Sequence, residues 1–155
     1  MKGRILYIVI LLLFAACSSD AASFVKPSQP ESEKGSASMK LKIHVNDTTF
    51  TATLNDNSSA KALVELLQKG DLTLDMEVFS NFEKVADLPV TLPRNDTPTD
   101  TDAGDLILYL GKRIVIYYDK NSWDFTPLGK IDNVNKKRLK QILGDGNATV
   151  TFSVK

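Results

Sequence analysis

Four aromatic side chains, Phe79, Phe82, Trp123 and Phe125, are the ones the sequence places best for lining a binding surface. Phe79 falls on the polar face of its strand pattern, with Phe82 just beyond it. Asn121-Ser122-Trp123-Asp124 reads as a loop after a strand, which would set an exposed Trp123 beside Phe125. Exposed apolar side chains of this size mark ligand or partner contacts. Tyr109, Tyr117 and Tyr118 read as core packing. Reactive groups are scarce. The chain has one cysteine, Cys17, and one histidine, His44, which reads as exposed on a polar strand face. No histidine or basic group stands near Cys17 to lower its pKa, so a catalytic thiol is not expected. A single cysteine also excludes an intramolecular disulfide and a multi-cysteine metal site. Asp96, Asp100, Asp102 and Asp105 crowd one loop, but their spacing fails the EF-hand pattern and lacks its closing glutamate, so they read as a solvated loop. With no nucleophile–base pair, phosphate-cradling glycine loop or metal-ligand spacing in view, neither a metal nor a cofactor is expected.

The elements that must position these residues belong to an ordinary globular composition. Of 155 residues, 43% are apolar and 25% charged. Lys plus Arg and Asp plus Glu each number 19, and the pI is near 6.6, so no nucleic-acid partner is expected. The length suits one domain. Lys136, Lys137, Arg138 and Lys140 form a basic cluster that could face anionic lipid headgroups or simply favour the dipole at a helix C-terminus.

Leu41, Ile43 and Val45 alternate with Lys42, His44 and Asn46, and after a turn at Asn46-Asp47, Phe50, Ala52 and Leu54 alternate with threonines. This predicts a β-hairpin. Ala60, Leu63, Val64 and Leu67 fall on one helical face behind Asp56, Asn57 and Ser58 as N-cap candidates, and Gly70 ends that helix. Leu72 to Val78 alternates as a third strand. A proline-marked stretch and a polar loop from Asn95 to Asp105 follow. Leu106–Leu110 and Ile114–Tyr118 are nearly continuous apolar runs joined at Gly111-Lys112, the pattern of a hairpin buried on both faces. Thr126–Ile131 is a short strand. Asp132 or Asn133 caps a second helix carrying Leu139, Ile142 and Leu143, and Ala148 to Val154 alternates as a closing strand. Many short strands with only two helices favour a barrel.

The N-terminus reads as an address. Lys2 and Arg4 precede an apolar run from Ile5 to Ala16, too short to span a membrane as a mature element. Phe14-Ala15-Ala16-Cys17 resembles the lipobox of bacterial lipoproteins, although that motif usually has Leu where Phe14 stands; the alternative is an ordinary signal cut near Ala21-Ala22. On the lipobox reading, residues 1–16 are a signal peptide and Cys17 is lipidated. Residues 17–38, rich in serine, form a flexible linker of roughly 25 Å reach, and residues 39–155 are the domain. The expected location is the bacterial cell envelope, with a lipid anchor in a membrane, preferably the outer one, and the domain extracytoplasmic.

From Met39 to Lys155 the chain resembles the small bacterial cyclophilin-like domains. The likeness is carried by Phe50-Thr51-Ala52-Thr53-Leu54 running into Ser59-Ala60-Lys61-Ala62, by Leu88-Pro89 with Leu92-Pro93, and by Ala103-Gly104-Asp105-Leu106-Ile107-Leu108-Tyr109. Leu128-Gly129-Lys130-Ile131-Asp132 and Gly144-Asp145-Gly146 with Thr149-Val150-Thr151-Phe152 complete it. The resemblance implies a mainly β protein, a closed cyclophilin-like β-barrel of about eight strands with two short helices. It does not imply prolyl isomerase activity. The Phe- and Gln-bearing catalytic motif of true cyclophilins is not visible, and Lys84-Val85-Ala86-Asp87 stands where many relatives carry tyrosines. An isomerase also needs a donor, usually Arg, directed at the proline amide; Arg94, after Pro93, is the candidate, ahead of Arg113 and Arg138. The sequence therefore points to a tethered binding module for a peptide, protein or small molecule, with a divergent prolyl isomerase acting on exported proteins as the alternative.

Overall fold

The computed structural model describes residues 38–154. The expected signal peptide, Cys17 and all but the last residue of the expected linker lie outside the described residues. In chain order the elements are β1 (Lys40–Val45), β2 (Thr48–Leu54), α1 (Ser58–Gln68), β3 (Leu72–Phe79), β4 (Glu83–Asp87) and β5 (Thr97–Asp100). They continue with β6 (Asp105–Tyr109), β7 (Arg113–Tyr117), β8 (Ser122–Ile131), α2 (Lys136–Leu143) and β9 (Ala148–Ser153).

Strands pair in the order β2-β1-β9-β3-β4-β7-β6-β8, and β8 pairs back onto β2. The result is a closed, antiparallel, eight-stranded barrel with two helices, as the sequence pattern predicts. Closure leaves the ring without edges. Period-two alternation turns one side of each strand inward. Leu41 and Ile43 of β1, Ala52 and Leu54 of β2, Met76 of β3, Leu106 and Leu108 of β6, Ile114 and Ile116 of β7, and Val150 and Phe152 of β9 share one buried core. Helix α1 adds Ala60, Leu63 and Leu67 to it, and α2 adds Leu139 and Leu143.

Local signals explain most boundaries. The Asn57 side chain accepts from the Ala60 amide at 2.8 Å and so caps α1. The second cap is one residue type but another position: Asn135, not Asp132 or Asn133, accepts from the Arg138 amide. Asp132 is committed elsewhere, to Thr53 at 2.7 Å and Lys40 at 2.9 Å, and Asn133 sits in a turn at φ 52°. In the three-residue connection between β6 and β7, Leu110 and Gly111 both have positive φ (51° and 73°), and the Lys112 amide donates to the Tyr109 carbonyl at 3.1 Å.

Two expectations are corrected and one strand is added. The segment after Phe82 is strand β4. The polar loop from Asn95 to Asp105 contains strand β5. Asn121 to Asp124 is not simply a loop, because β8 begins at Ser122 and Trp123 lies within it. These corrections are linked. Strand β8 is ten residues long; its C-terminal part closes the barrel against β2 and β6, while its N-terminal part runs past the barrel and takes β5 as a ninth strand. The register against β6 shifts between Leu106 and Ile107, a bulge at Pro127-Leu128-Gly129 that bends the strand where it leaves the ring. Pro127 lies at the bulge and Pro98 on the edge strand β5, the places where a missing N–H is tolerated.

Gly129 sits at the seam of the barrel, opposite Leu54. A Cβ there would stand 2.3 Å from the Thr53 carbonyl oxygen and 2.8 Å from the Leu54 Cα, both backbone atoms that cannot give way. Gly129→Ala is therefore expected to destabilise the domain by about 3 kcal/mol or more, read as a lowered urea midpoint. A midpoint equal to that of Gly70→Ala, where the new Cβ meets nothing within 4 Å, would show that the β2–β8 seam does not constrain the fold.

Candidate functional site

The central hairpin carries apolar residues outward as well as inward. On the outer side, Ile107 of β6, Val115 and Tyr117 of β7 and Phe125 of β8 form a second buried cluster, with Phe82, Val85 and Tyr109 packed against it. This outer cluster floors a cavity of about 390 Å³, within the range of small-molecule sites, about 300–1,000 Å³. Its wall comprises Phe79, Phe82, Glu83, Val85, Tyr109, Arg113, Val115, Tyr117, Asn121, Trp123 and Phe125.

Register explains the convergence. Phe79 of β3, Glu83 of β4 and Tyr117 of β7 are direct cross-strand neighbours in one row. The next outward row runs through Val85, Val115 and Ile107, and the one after through Asp87, Arg113 and Tyr109. The turn joining β3 to β4 places Ser80 and Asn81 at positive φ (47° and 60°) and sets Phe79 and Phe82 at its two ends. From the other side, β5 holds the extension of β8 in place through Thr97–Phe125 and Thr99–Trp123 pairing. Buried Thr101 anchors the start of that extension, donating to the Asn121 carbonyl and accepting from the Asn121 amide at 2.9 Å.

The rings interlock as aromatic pairs do. Phe82 stacks on Tyr117 at 6.1 Å, Tyr117 tilts against Phe125 at 5.6 Å, and Tyr109 meets Phe125 edge-on at 6.2 Å. Phe79 and Trp123 have no such cover. They are 57% and 65% exposed and stand at the mouth.

All four aromatics singled out in the sequence thus stand around one cavity. Phe79 and Trp123 are exposed, whereas Phe125 is buried in its floor. Arg94 is elsewhere: its guanidinium is half exposed, donates from Nε to Asp96 at 2.9 Å, and is not among the lining residues. Arg113 lines the cavity instead, with its Nε 3.0 Å from Asp87. The acidic loop is occupied with structural work. Asp96 accepts from Arg94 and Thr126, Asp100 from Ser122, and Asp105 from Lys130 and the Asp102 amide. Among the described residues no group of three or more His, Cys, Asp or Glu is arranged to hold a metal. In the basic cluster Lys136 pairs with Asp119, and Lys140 stands 5.3 Å from the centre of the Tyr118 ring.

Glu83 is the member sequence reasoning missed. It is 8% exposed, and its Oε2 has no hydrogen-bond partner among the described residues. Burial raises its pKa above the ordinary glutamate value, with the Tyr117 hydroxyl acting in the opposite sense. Burial likewise pushes the Tyr117 phenol up, followed by the influence of Glu83, while the Asn121 amide, 3.3 Å from the hydroxyl, opposes the shift. The next residue, Lys84, points to the opposite side of the strand, fully buried, and donates to the Gly146 carbonyl. Desolvation lowers its pKa and Asp145 partly offsets this.

The comparisons with known proteins fit this architecture. A model of the Cyclophilin-like family matches residues 43–153, so the chain belongs to that family. Its fold is similar to the solution structure of a hypothetical protein from Archaeoglobus fulgidus, with a TM-score of 0.58 at 15% identity over 76% of this chain and 95% of the other. No curated protein matches.

Glu83 keeps its proton in the folded state at pH values where the unfolded chain has lost it. Its contribution is therefore fully present below the ordinary glutamate pKa and falls as pH rises through the raised one. Glu83→Gln should remove this fall, so that its stability relative to the native chain increases across that window. Urea midpoints over a pH series check this, and parallel profiles for the two proteins would exclude a raised carboxyl.

Proposed function

We propose that the chain is a membrane-tethered binding module of the cell envelope, whose outer aromatic cavity takes an apolar group of a small molecule or peptide. The observation that carries this reading is the convergence of six aromatic rings on one cavity, with Phe79 and Trp123 left exposed at its mouth. Burying such rings against a ligand is favourable by roughly 25 cal/mol per Å² of apolar surface. The wall also supplies a few polar groups able to orient a ligand: the Glu83 carboxyl, the Arg113 guanidinium and the Asn121 amide. The lining holds no serine, cysteine or histidine to act as nucleophile or imidazole base, which favours binding over bond-breaking chemistry.

A prolyl isomerase remains the second reading because one observation favours it: Arg113 places a guanidinium beside an apolar pocket. Isomerisation needs only a donor that stabilises the twisted amide against a barrier of ~18–20 kcal/mol. The lipid anchor is supported by the apolar run from Ile5 to Ala16 and the small residues before Cys17.

Indole, titrated against the full-length protein, should move the amide resonances of Phe79, Phe82, Tyr117 and the Trp123 indole N–H together. Trp123→Ala should weaken its binding about tenfold, and a set of shifts elsewhere on the barrel would reject the cavity as the site. In parallel, a protease-coupled Xaa-Pro assay should show no turnover above the uncatalysed rate; turnover lost in Arg113→Ala would establish the second reading instead.

The anchor has its own test. The full-length chain, expressed in a bacterial host with labelled palmitate, should incorporate label and partition with membranes, and Cys17→Ala should abolish both. Unlabelled, soluble protein would show that an ordinary signal peptidase removes Cys17.

A further inference from the structure

We infer that the cavity is selective for a protonated amine carried on an apolar body, the amine N–H groups being received by the Glu83 carboxyl and the charge by the surrounding aromatic faces. This rests on the reading of the cavity as a ligand site and assigns the chemistry of its occupant.

The orphaned oxygen is the starting point. Glu83 is more than nine-tenths buried, lines the cavity, and has an Oε2 with no partner among the described residues. Buried polar atoms are nearly always paired, so an unpaired one calls for a group the protein alone does not supply. Once ionised, the carboxylate only accepts hydrogen bonds, so the partner it then lacks is a donor; the Tyr117 hydroxyl acts on the same carboxyl but leaves Oε2 unpaired. Its neighbours in register are Phe79 on one side and Tyr117 on the other, and Phe82 stacks over Tyr117. Aromatic faces attract a cation through their quadrupole, most strongly where water is excluded. A positively charged donor therefore satisfies both features at once, whereas a ligand carboxylate would meet the Glu83 charge at close quarters.

The other charged and titratable groups around Glu83 leave this preference intact. Arg113 of β7, the cationic group in the wall, is paired with Asp87 of β4, which balances its charge. Lys84, adjacent in β4, faces the other side of the strand and bonds Gly146. Tyr117 at the end of β7 and Tyr118 just after it carry phenols that burial pushes up, and Tyr109 of β6 also lines the cavity. The single histidine, His44, is on β1 and bonds Thr49. Glu83 is thus the group whose ionisation the cavity senses at moderate pH. Because burial favours its protonated form, receiving an ammonium expels that proton, and affinity for a cation rises with pH by up to about tenfold per unit until Glu83 is ionised without help.

Three probes of one shape separate the possibilities: phenethylammonium, 2-phenylethanol and phenylacetate. The chain has one tryptophan, so the fluorescence of the full-length protein reports the cavity mouth alone. At pH 8 phenethylammonium should bind at least tenfold more tightly than 2-phenylethanol and phenylacetate most weakly. The advantage should shrink as pH falls towards the ordinary glutamate pKa and disappear in Glu83→Gln, which should keep its affinity for 2-phenylethanol. Equal affinities for the amine and the alcohol at pH 8, a preference for phenylacetate, or an amine preference that survives Glu83→Gln would each overturn the inference while leaving a cavity that binds. If none of the three binds, the cavity reading itself falls. Should Glu83→Gln fail to fold, the pH profile of the native protein decides, because an amine affinity that is flat or falling as pH rises from the ordinary glutamate pKa to 8 contradicts the proposal.

Discussion

Strands β6 and β7 are apolar on both faces, and this two-sided burial organises everything else in the domain. Inward, Leu106, Leu108, Ile114 and Ile116 join a closed core, which a barrel alone can cover. Outward, Ile107, Val115 and Tyr117 would stand in water unless something beyond the ring were laid over them. The chain meets this need from two directions. The β3–β4 turn brings Phe79 and Phe82 from one side, and the extension of β8, held by β5, brings Trp123 and Phe125 from the other. Neither cover is complete, and the space between them is the cavity.

The covering devices differ in what holds them. The β8 extension is fixed by backbone pairing to β5 and by the Thr101–Asn121 hydrogen bonds, so Trp123 is carried on a hydrogen-bonded two-stranded ribbon. Phe79 and Phe82 depend on the three-residue connection Ser80–Phe82, which holds a serine at positive φ, a conformation that favours glycine or asparagine, and Phe82 packs on Tyr117.

Strand β4 carries the polar chemistry of both faces. Glu83 and Lys84 are adjacent, both buried, and directed to opposite sides, one to the cavity and one to the interior near Gly146. Lys84 donates to an acceptor inside the protein, whereas Glu83 Oε2 has no hydrogen-bond partner among the described residues. Two neighbouring ionisable groups, desolvated by the same strand, therefore end in different states: one hydrogen-bonded, the other held towards its neutral form. Family membership fixes the barrel around them, and the likeness to the archaeal structure at 15% identity speaks to fold alone; the cavity chemistry belongs to this chain's own residues.

Alternation made most of the barrel legible in the sequence. The hairpin of β1 and β2, strand β3, the doubly buried β6 and β7, the end of β8, β9 and both helices all carry a period that burial imposes on the residues themselves. The strands that escaped are those where burial leaves no such trace. β4 hides because two charged residues occupy its buried positions, and β5, Thr-Pro-Thr-Asp, because an exposed edge strand buries nothing apolar. The sequence likewise singled out Phe79, Phe82, Trp123 and Phe125 as aromatics off the core pattern, but it could not say that they share a cavity. That depends on cross-strand register over five strands and on a bulge that sends β8 past the ring, and such distances are set by hydrogen bonding between segments far apart in the chain. Glu83, for the same reason, acquires its meaning only when Phe79 and Tyr117 close on it from neighbouring strands and take its water away.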